Sequence, residues 1–257
     1  MSECLERIEK VVGRLREAVA EMPDGPGVSG AYFAQWPKIG RFRINCWITD
    51  VEQALRWATE GIREAERSGP SASRNLEEAL WRLDAADDRL VVVLSLALGV
   101  GLIDISKNRA GVTFRPKRQR LLAKLTELAT ASALALDSTM RTWYEHPART
   151  LRHQVTHSLS QTTGTQPLLD LDVRYRRGSR ESNREAKMLY PDDLHLGTND
   201  IRPAAVWSRV VGLAGEGLEM MVEYIDNAAT VISTHARLEP PTTVYYDLES
   251  GRASLEP

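Results

Sequence analysis

A run of fourteen uncharged residues from Leu90 to Ile103 sets the main constraint on how this chain folds. A stretch that apolar must leave water, yet it falls short of the roughly 18 to 20 residues needed to cross a bilayer. Other parts of the same chain have to cover it, and their pattern is helical. Leu5, Ile8, Val12, Leu15, Val19 and Met22 recur at three- and four-residue steps, which places them on one stripe of a helix at 2–22. Leu76, Leu80, Leu83 and Ala86 lead from Ser73 into the apolar run, where Gly99 and Gly101 are expected to admit a neighbouring helix rather than mark a bend. Leu121, Leu125, Leu128, Leu134 and Met140 predict one long helix from Pro116 to Tyr144, and a last helix is expected over about 204–236.

The intervening segments are less regular. Pro23-Asp-Gly-Pro-Gly27 ends the first helix, and Arg41-Phe-Arg-Ile-Asn-Cys-Trp47 alternates as a short strand does, with a loop as the other reading. Thr49-Asp-Val-Glu52 is a capping-box pattern that predicts a helix from about Asp50 to Arg67. Leu169–Tyr175 and Thr242–Tyr246 read as strands that could pair with each other, and 163–203 reads as a polar insertion. The resulting expectation is an all-α helical bundle forming one domain over 1–257. It comprises the helix 2–22, a helical core at about 49–162, the insertion, the last helix, and at most a small two- or three-stranded β appendage.

Composition narrows the chemistry. With 33 Lys and Arg against 35 Asp and Glu, the formal charge is -2, so nucleic-acid binding would have to come from local patches rather than a global basic field. Cys4 and Cys46 form neither a CxxC pair nor a metal-ligand spacing with histidine, which suits a reducing compartment. The charged amphipathic start predicts no signal peptide, and the expected setting is the cytoplasm without a membrane segment. Phosphate-binding GxxxxGK[ST], GxGxxG after a strand, GxSxG and HExxH patterns are absent from the sequence. Gly212-Leu-Ala-Gly-Glu-Gly217 lies in a helical pattern, so helix packing explains it better than a phosphate loop.

Usable chemistry concentrates in Arg149-Thr-Leu-Arg152-His153-Gln-Val-Thr-His157. Histidine titrates near neutral pH and arginine presents a fork of donors that fits a phosphate. His146-Pro147 predicts a helix start there, with Leu151, Val155 and Leu159 as its apolar stripe. Arg149 and Arg152 then sit at the positive end of the helix dipole, where an exposed cation costs about 0.3 to 1 kcal/mol. A bound anion would offset that cost, as would pairing with Glu145 or another carboxylate. On a helix Arg149, His153 and His157 share a face, and Arg152 lies roughly 7.5 Å along the axis from His157, within reach of one phosphodiester. His153 and His157 also have the i, i+4 spacing of a zinc pair, but no third ligand is nearby in the sequence.

Arg152-His-Gln-Val-Thr-His157 resembles the Arg-x(4–6)-His motif of the HEPN superfamily, including a polar residue, His153, directly after the arginine. A second pair with that spacing, Arg141 and His146, straddles a break before proline and fits less well. The resemblance covers the motif and the helical layout of about 46–236. It implies a metal-independent endoribonuclease needing no cofactor, in which His157 acts as general base on a 2′-hydroxyl and leaves a 2′,3′-cyclic phosphate. Arg152 would neutralise the phosphoryl oxygens, His153 would hold or polarise the site, and Arg149 would support substrate binding. It further implies a homodimer with a composite cleft, RNA as substrate, and a cognate antitoxin or defence-system partner.

Two basic patches add to this reading. Lys107, Arg109, Arg115, Lys117, Arg118 and Arg120 occur with no acid between Ile105 and Thr126, a surface suited either to tracking phosphates or to plain solvation; Arg115, Lys117, Arg118 and Arg120 are the substrate-binding candidates. Arg174, Arg176, Arg177, Arg180 and Arg184 cluster around Tyr175, where a base could stack or a protein could bind. The six tryptophans are scattered singly and are expected in the core. The competing reading is a non-catalytic helical scaffold that binds nucleotides or protein.

Overall fold

Three- and four-residue spacing of apolar side chains becomes helix almost everywhere it occurs. The computed structural model describes residues 2–24, 36–100, 118–149, 151–152 and 203–238, with short strands at 175–177, 186–188, 244–247 and 252–255. The helices named among the described residues are α1 (Ser2–Glu21), α2 (Trp36–Ser68), α3 (Ser73–Ala97), α4 (Arg118–Leu128), α5 (Ala131–Glu145) and α6 (Pro203–His235), with a 3-10 turn at Gly69–Ala72 between α2 and α3. The chain is therefore predominantly all-α. β1 (Tyr175–Arg177) pairs antiparallel with β2 (Ala186–Met188), and β3 (Val244–Asp247) with β4 (Arg252–Leu255). Among the described residues the β component is two separate two-stranded ladders, and the strand near 242–246 pairs with the segment after it instead of with residues near 175.

Residues 41–47 are neither strand nor loop but the interior of α2. Ile44, Ile48, Val51 and Leu55 are each at most 1% exposed and follow a helical step, while Phe42 is 68% exposed. The helical period therefore overrides the brief alternation. Thr49 and Glu52 consequently mark no helix start. Three residues apart on one face of α2, they meet Arg16 of α1: its Nη2 donates to Thr49 Oγ1 at 3.3 Å and pairs with Glu52 at 2.8 Å. The Thr49 hydroxyl donates back to Asn45 O at 3.0 Å, a bond available only inside a helix.

The apolar run from Leu90 stays helical only to Ala97. Gly99 has φ +64° and bends the chain where a packed glycine was expected, while Gly101 lies outside the described residues. The single helix expected over 116–144 is divided at Ala129, which takes φ +51°. Thr130 starts α5 by accepting from Ala133 N at 3.3 Å through its hydroxyl and from Leu134 N at 2.9 Å through its carbonyl.

The chain divides into two compact units, one of Met1–Ile8, Gln53–Ala86 and Thr139–Glu223, the other of Glu9–Glu52, Asp87–Ser138 and Tyr224–Pro257. In the first, Leu55, Leu76, Leu83, Trp143, Leu213 and Met221 are fully or almost fully buried. Helices approach closely there at two glycines. A Cβ on Gly217 of α6 would lie 3.3 Å from each of Leu83, Trp143 and Ala148, so of the three glycines in 212–217 this one has the expected packing role, while Gly212 and Gly215 face open space. In the second unit, Val12, Leu15, Ile48, Leu94, Leu125 and Ile225 are buried. Arg14 of α1 pairs with Asp226 of α6, and Arg89 of α3 lies 3.9 Å from Asp50 of α2.

Gly61 marks the other close approach. A Cβ there would stand 2.5 Å from Asn75 O and 3.1 Å from Ala79 Cβ, so α2 and α3 touch through backbone. Gly61→Ala should lower the unfolding free energy by about 1 to 3 kcal/mol through overpacking. Gly212→Ala, with nothing within 4 Å, should instead raise it by up to about 1 kcal/mol through helix propensity. Urea denaturation reads both changes, and equal effects of the same sign would contradict the packing assigned to α2 and α3.

Candidate functional site

The site begins where α5 ends. Trp143 is 1% exposed and His146 8%, and their rings stack with centroids 5.8 Å apart and planes 15° apart. His146 then opens a new helical segment, seen at 147–149 and 151–152. Its Nδ1 accepts from Ala148 N at 3.2 Å, and its carbonyl accepts from Arg149 N at 3.0 Å. A ring nitrogen here does the work of an N-cap side chain, and Pro147 occupies the one position whose missing N–H costs nothing. The imidazole must be neutral to accept at Nδ1. Burial pushes its pKa below the usual 6.5, the Glu216 carboxylate opposes this, and Arg209 adds to it.

This start delivers Arg149 and Arg152 to one carboxylate. Asp84 of α3 is 6% exposed; Arg149 Nε lies 3.3 Å from its Oδ1 and Arg152 Nη1 lies 3.1 Å from its Oδ2. Each guanidinium also covers an aromatic ring: Arg149 sits 4.2 Å from the centroid of Tyr144, and Arg152 sits 4.1 Å from that of Trp81. Trp81 and Asp84 are three residues apart on α3, so one helical face supplies both the ring and the acid for Arg152. Only 16–17% of either arginine side chain is exposed. Two guanidinium groups thus share one carboxylate.

The pairing through a carboxylate foreseen for these arginines exists, but the partner is Asp84 and not Glu145. Trp81 also borders an open cleft of about 510 Å³ along α3, lined by Arg74, Glu77, Glu78, Arg82 and Ala85 as well. Arg82 lies 4.1 Å above the Trp57 ring and pairs with Glu78 at 2.7 Å. Trp57 and Trp81 are 44% and 41% exposed, so these two tryptophans are platforms for arginines rather than core residues; Trp143 and Trp207 are buried as expected.

His153 and His157 lie outside the described residues, as do Arg115 and Lys117 and the arginines around Tyr175 other than the backbone of Arg176 and Arg177. Arg118 and Arg120, neighbours in the basic run, have different surroundings. Arg118 pairs with Asp87 of α3, which is 0% exposed. Burial opposes the Arg118 charge, but Asp87, Tyr224 and Asp88 outweigh it and hold the proton more firmly than usual. Arg118 is thus paired with a buried partner. Arg120 is exposed.

Among the described residues no group of three or more His, Cys, Asp or Glu is placed to hold a metal ion, and no helix is long and apolar enough to cross a membrane. Cys4 and Cys46 are free thiols. No family model matches the chain, and no curated protein or solved structure shows significant similarity to it.

The His146 cap has a signed pH dependence. Its folded-state pKa is lowered, so the folded chain binds fewer protons than the unfolded one; its contribution is complete above about 6.5 and is lost as pH falls through the folded value. His146→Asn keeps a capping acceptor that does not titrate. The variant should unfold with a flatter dependence on pH just below 6.5, while His146→Ala should in addition lose about 1 kcal/mol at neutral pH. Denaturant midpoints between pH 5 and 8 check this, and a wild-type slope preserved in both variants would refute the capping role.

Proposed function

We propose that the chain is a metal-independent endoribonuclease of HEPN type, with RNA as its substrate and a homodimer as its working assembly. The observation that carries this reading is the arginine pair on Asp84 at the His146-Pro147 helix start. Arg152 opens the Arg-x4-His sequence, and its guanidinium is held by a carboxylate on one side and the Trp81 ring on another. A fork fixed in this way meets a phosphodiester without first being ordered, which is the condition for stabilising charge that develops only in the transition state.

The chemistry follows from the side chains. His157 removes the proton from an RNA 2′-hydroxyl, the oxygen attacks the adjacent phosphorus, and the 5′-oxygen of the next nucleotide leaves, generating a 2′,3′-cyclic phosphate. Arg152 and Arg149 neutralise the non-bridging oxygens, and His153 polarises the site. Arg115 and Lys117 extend the contact to flanking phosphates. A role as a toxin or phage-defence effector in the cytoplasm, restrained by an antitoxin, suits such an activity.

A second reading has its own support: the low exposure of both arginines and their shared carboxylate are what a purely structural ion pair requires. Under it the chain is a non-catalytic scaffold that binds nucleotides or protein.

Cleavage of a mixed-sequence RNA in EDTA separates the two. The nuclease reading expects products ending in 2′,3′-cyclic phosphate and a loss of at least about 100-fold in rate for both Arg152→Lys and His157→Ala, with thermal unfolding retained. Absence of cleavage by the wild type across several RNAs favours the scaffold. Cleavage that both substitutions leave intact removes these residues from the site.

A further inference from the structure

The unit formed by Glu9–Glu52, Asp87–Ser138 and Tyr224–Pro257 contains a cleft of about 380 Å³ that the RNA reading does not use. Its walls come from three places: the turn Leu98-Gly99-Val100 after α3, the exposed side of α4, and His235 and Arg237 at the end of α6. Residues far apart in sequence thereby bring Arg120, Lys124 and Arg237 to one opening, with His235 beside them. Leu98, Val100 and Leu128 form an apolar wall of the same space.

Helix ends alone do not account for these cations. The carboxyl ends of α3 and α6 each carry roughly half a negative charge. Some of that is already answered by backbone donors, since Leu98 N bonds Leu94 O at 2.9 Å, Val100 N bonds Ser95 O at 3.0 Å, and Ala236 N bonds Ile232 O at 3.0 Å. Glu127 lies 3.4 Å from Lys124 and offsets that charge. Among the described residues Arg120 and Arg237 have no ion-pair partner. Three full positive charges against one carboxylate and two partly satisfied helix ends leave the cleft cationic.

The histidine is held in place. His235 Nε2 is 2.8 Å from Thr130 Oγ1 and 3.5 Å from Ser132 Oγ, and the same Thr130 hydroxyl caps α5. The start of α5 thus fixes the ring at the rim, whichever nitrogen carries the proton. Convergent cations on one side and an apolar wall on the other, in a space of a few hundred cubic ångströms, match an amphiphilic phosphorylated ligand.

We infer that this cleft binds a 5′-mononucleotide, with its phosphate on Arg120, Lys124 and Arg237 and its base against Leu98, Val100 and Leu128. Arg120, which the sequence assigned to tracking an RNA strand, is here a ligand-binding residue of a small-molecule site. The inference does not depend on the nuclease reading, because no residue of the Asp84 cluster takes part in it.

Calorimetric titration of the full chain with AMP and GMP, beside adenosine and inorganic phosphate, tests the assignment. Nucleotide binding is expected, with adenosine and inorganic phosphate each at least about tenfold weaker. Arg120→Gln and Arg237→Gln, both at exposed positions, should each weaken nucleotide binding about tenfold with unchanged circular dichroism. No heat with either nucleotide at millimolar concentration would overturn the proposal, as would affinities that neither substitution alters. Inorganic phosphate binding as tightly as AMP would overturn the role of the apolar wall. An oligoribonucleotide bound through Arg120 and Arg237 without any mononucleotide binding would replace this site with an RNA path.

Discussion

Helix α3 carries two buried aspartates, and two later segments of the chain supply arginines that meet them. Asp84 is 6% exposed and Asp87 0%, and a carboxylate taken from water costs several kcal/mol unless cations and donors replace the solvent. Asp87 is answered by Arg118, the first residue of α4, which fixes where the chain re-enters its unit. Asp84 is answered twice, by Arg149 and Arg152, and so fixes the segment that starts at His146. The apolar stripe of α3 drives burial without direction, whereas the two acids specify which segments may land on it.

This division of labour explains what the sequence revealed. Regular spacing sufficed for α1, most of α3 and α6, because burial of one stripe depends only on period. It misled at 41–47, where seven residues alternate by accident while Ile44, Ile48 and Val51 keep the helical step that decides the structure. Thr49 and Glu52 look like a cap for a related reason: the three-residue separation that closes a capping box also puts two residues on one face inside a helix. The break at Ala129 had no glycine or proline to announce it, and a left-handed alanine is costly enough that sequence argues against it.

The candidate site was half legible. Its arginines stood out as cations at a helix start, a position that calls for a compensating anion, but the anion's identity lay on another helix. Asp84 belongs to the charged stretch Asp84-Ala-Ala-Asp87-Asp88-Arg89, which reads as a solvated face. The available signal was register: Asp84 follows Leu80 by four residues, and Asp87 lies between Leu83 and Leu90 on the buried stripe. An acid in such a position demands a partner. The tryptophans followed the same logic in reverse, since Trp57 and Trp81 keep one side outward and hold arginine stems against the surface.

A guanidinium held by one carboxylate is well placed and partly neutralised at once. Two arginines on a single acid are tied to one point of α3. The central claim is therefore that Asp84 couples directly to each arginine. Double-mutant cycles of Asp84→Asn with Arg149→Ala, and with Arg152→Ala, measured by urea denaturation, test it most directly. The account predicts a favourable coupling of about 1 to 3 kcal/mol in both cycles. Coupling within about 0.3 kcal/mol of zero in both would contradict it.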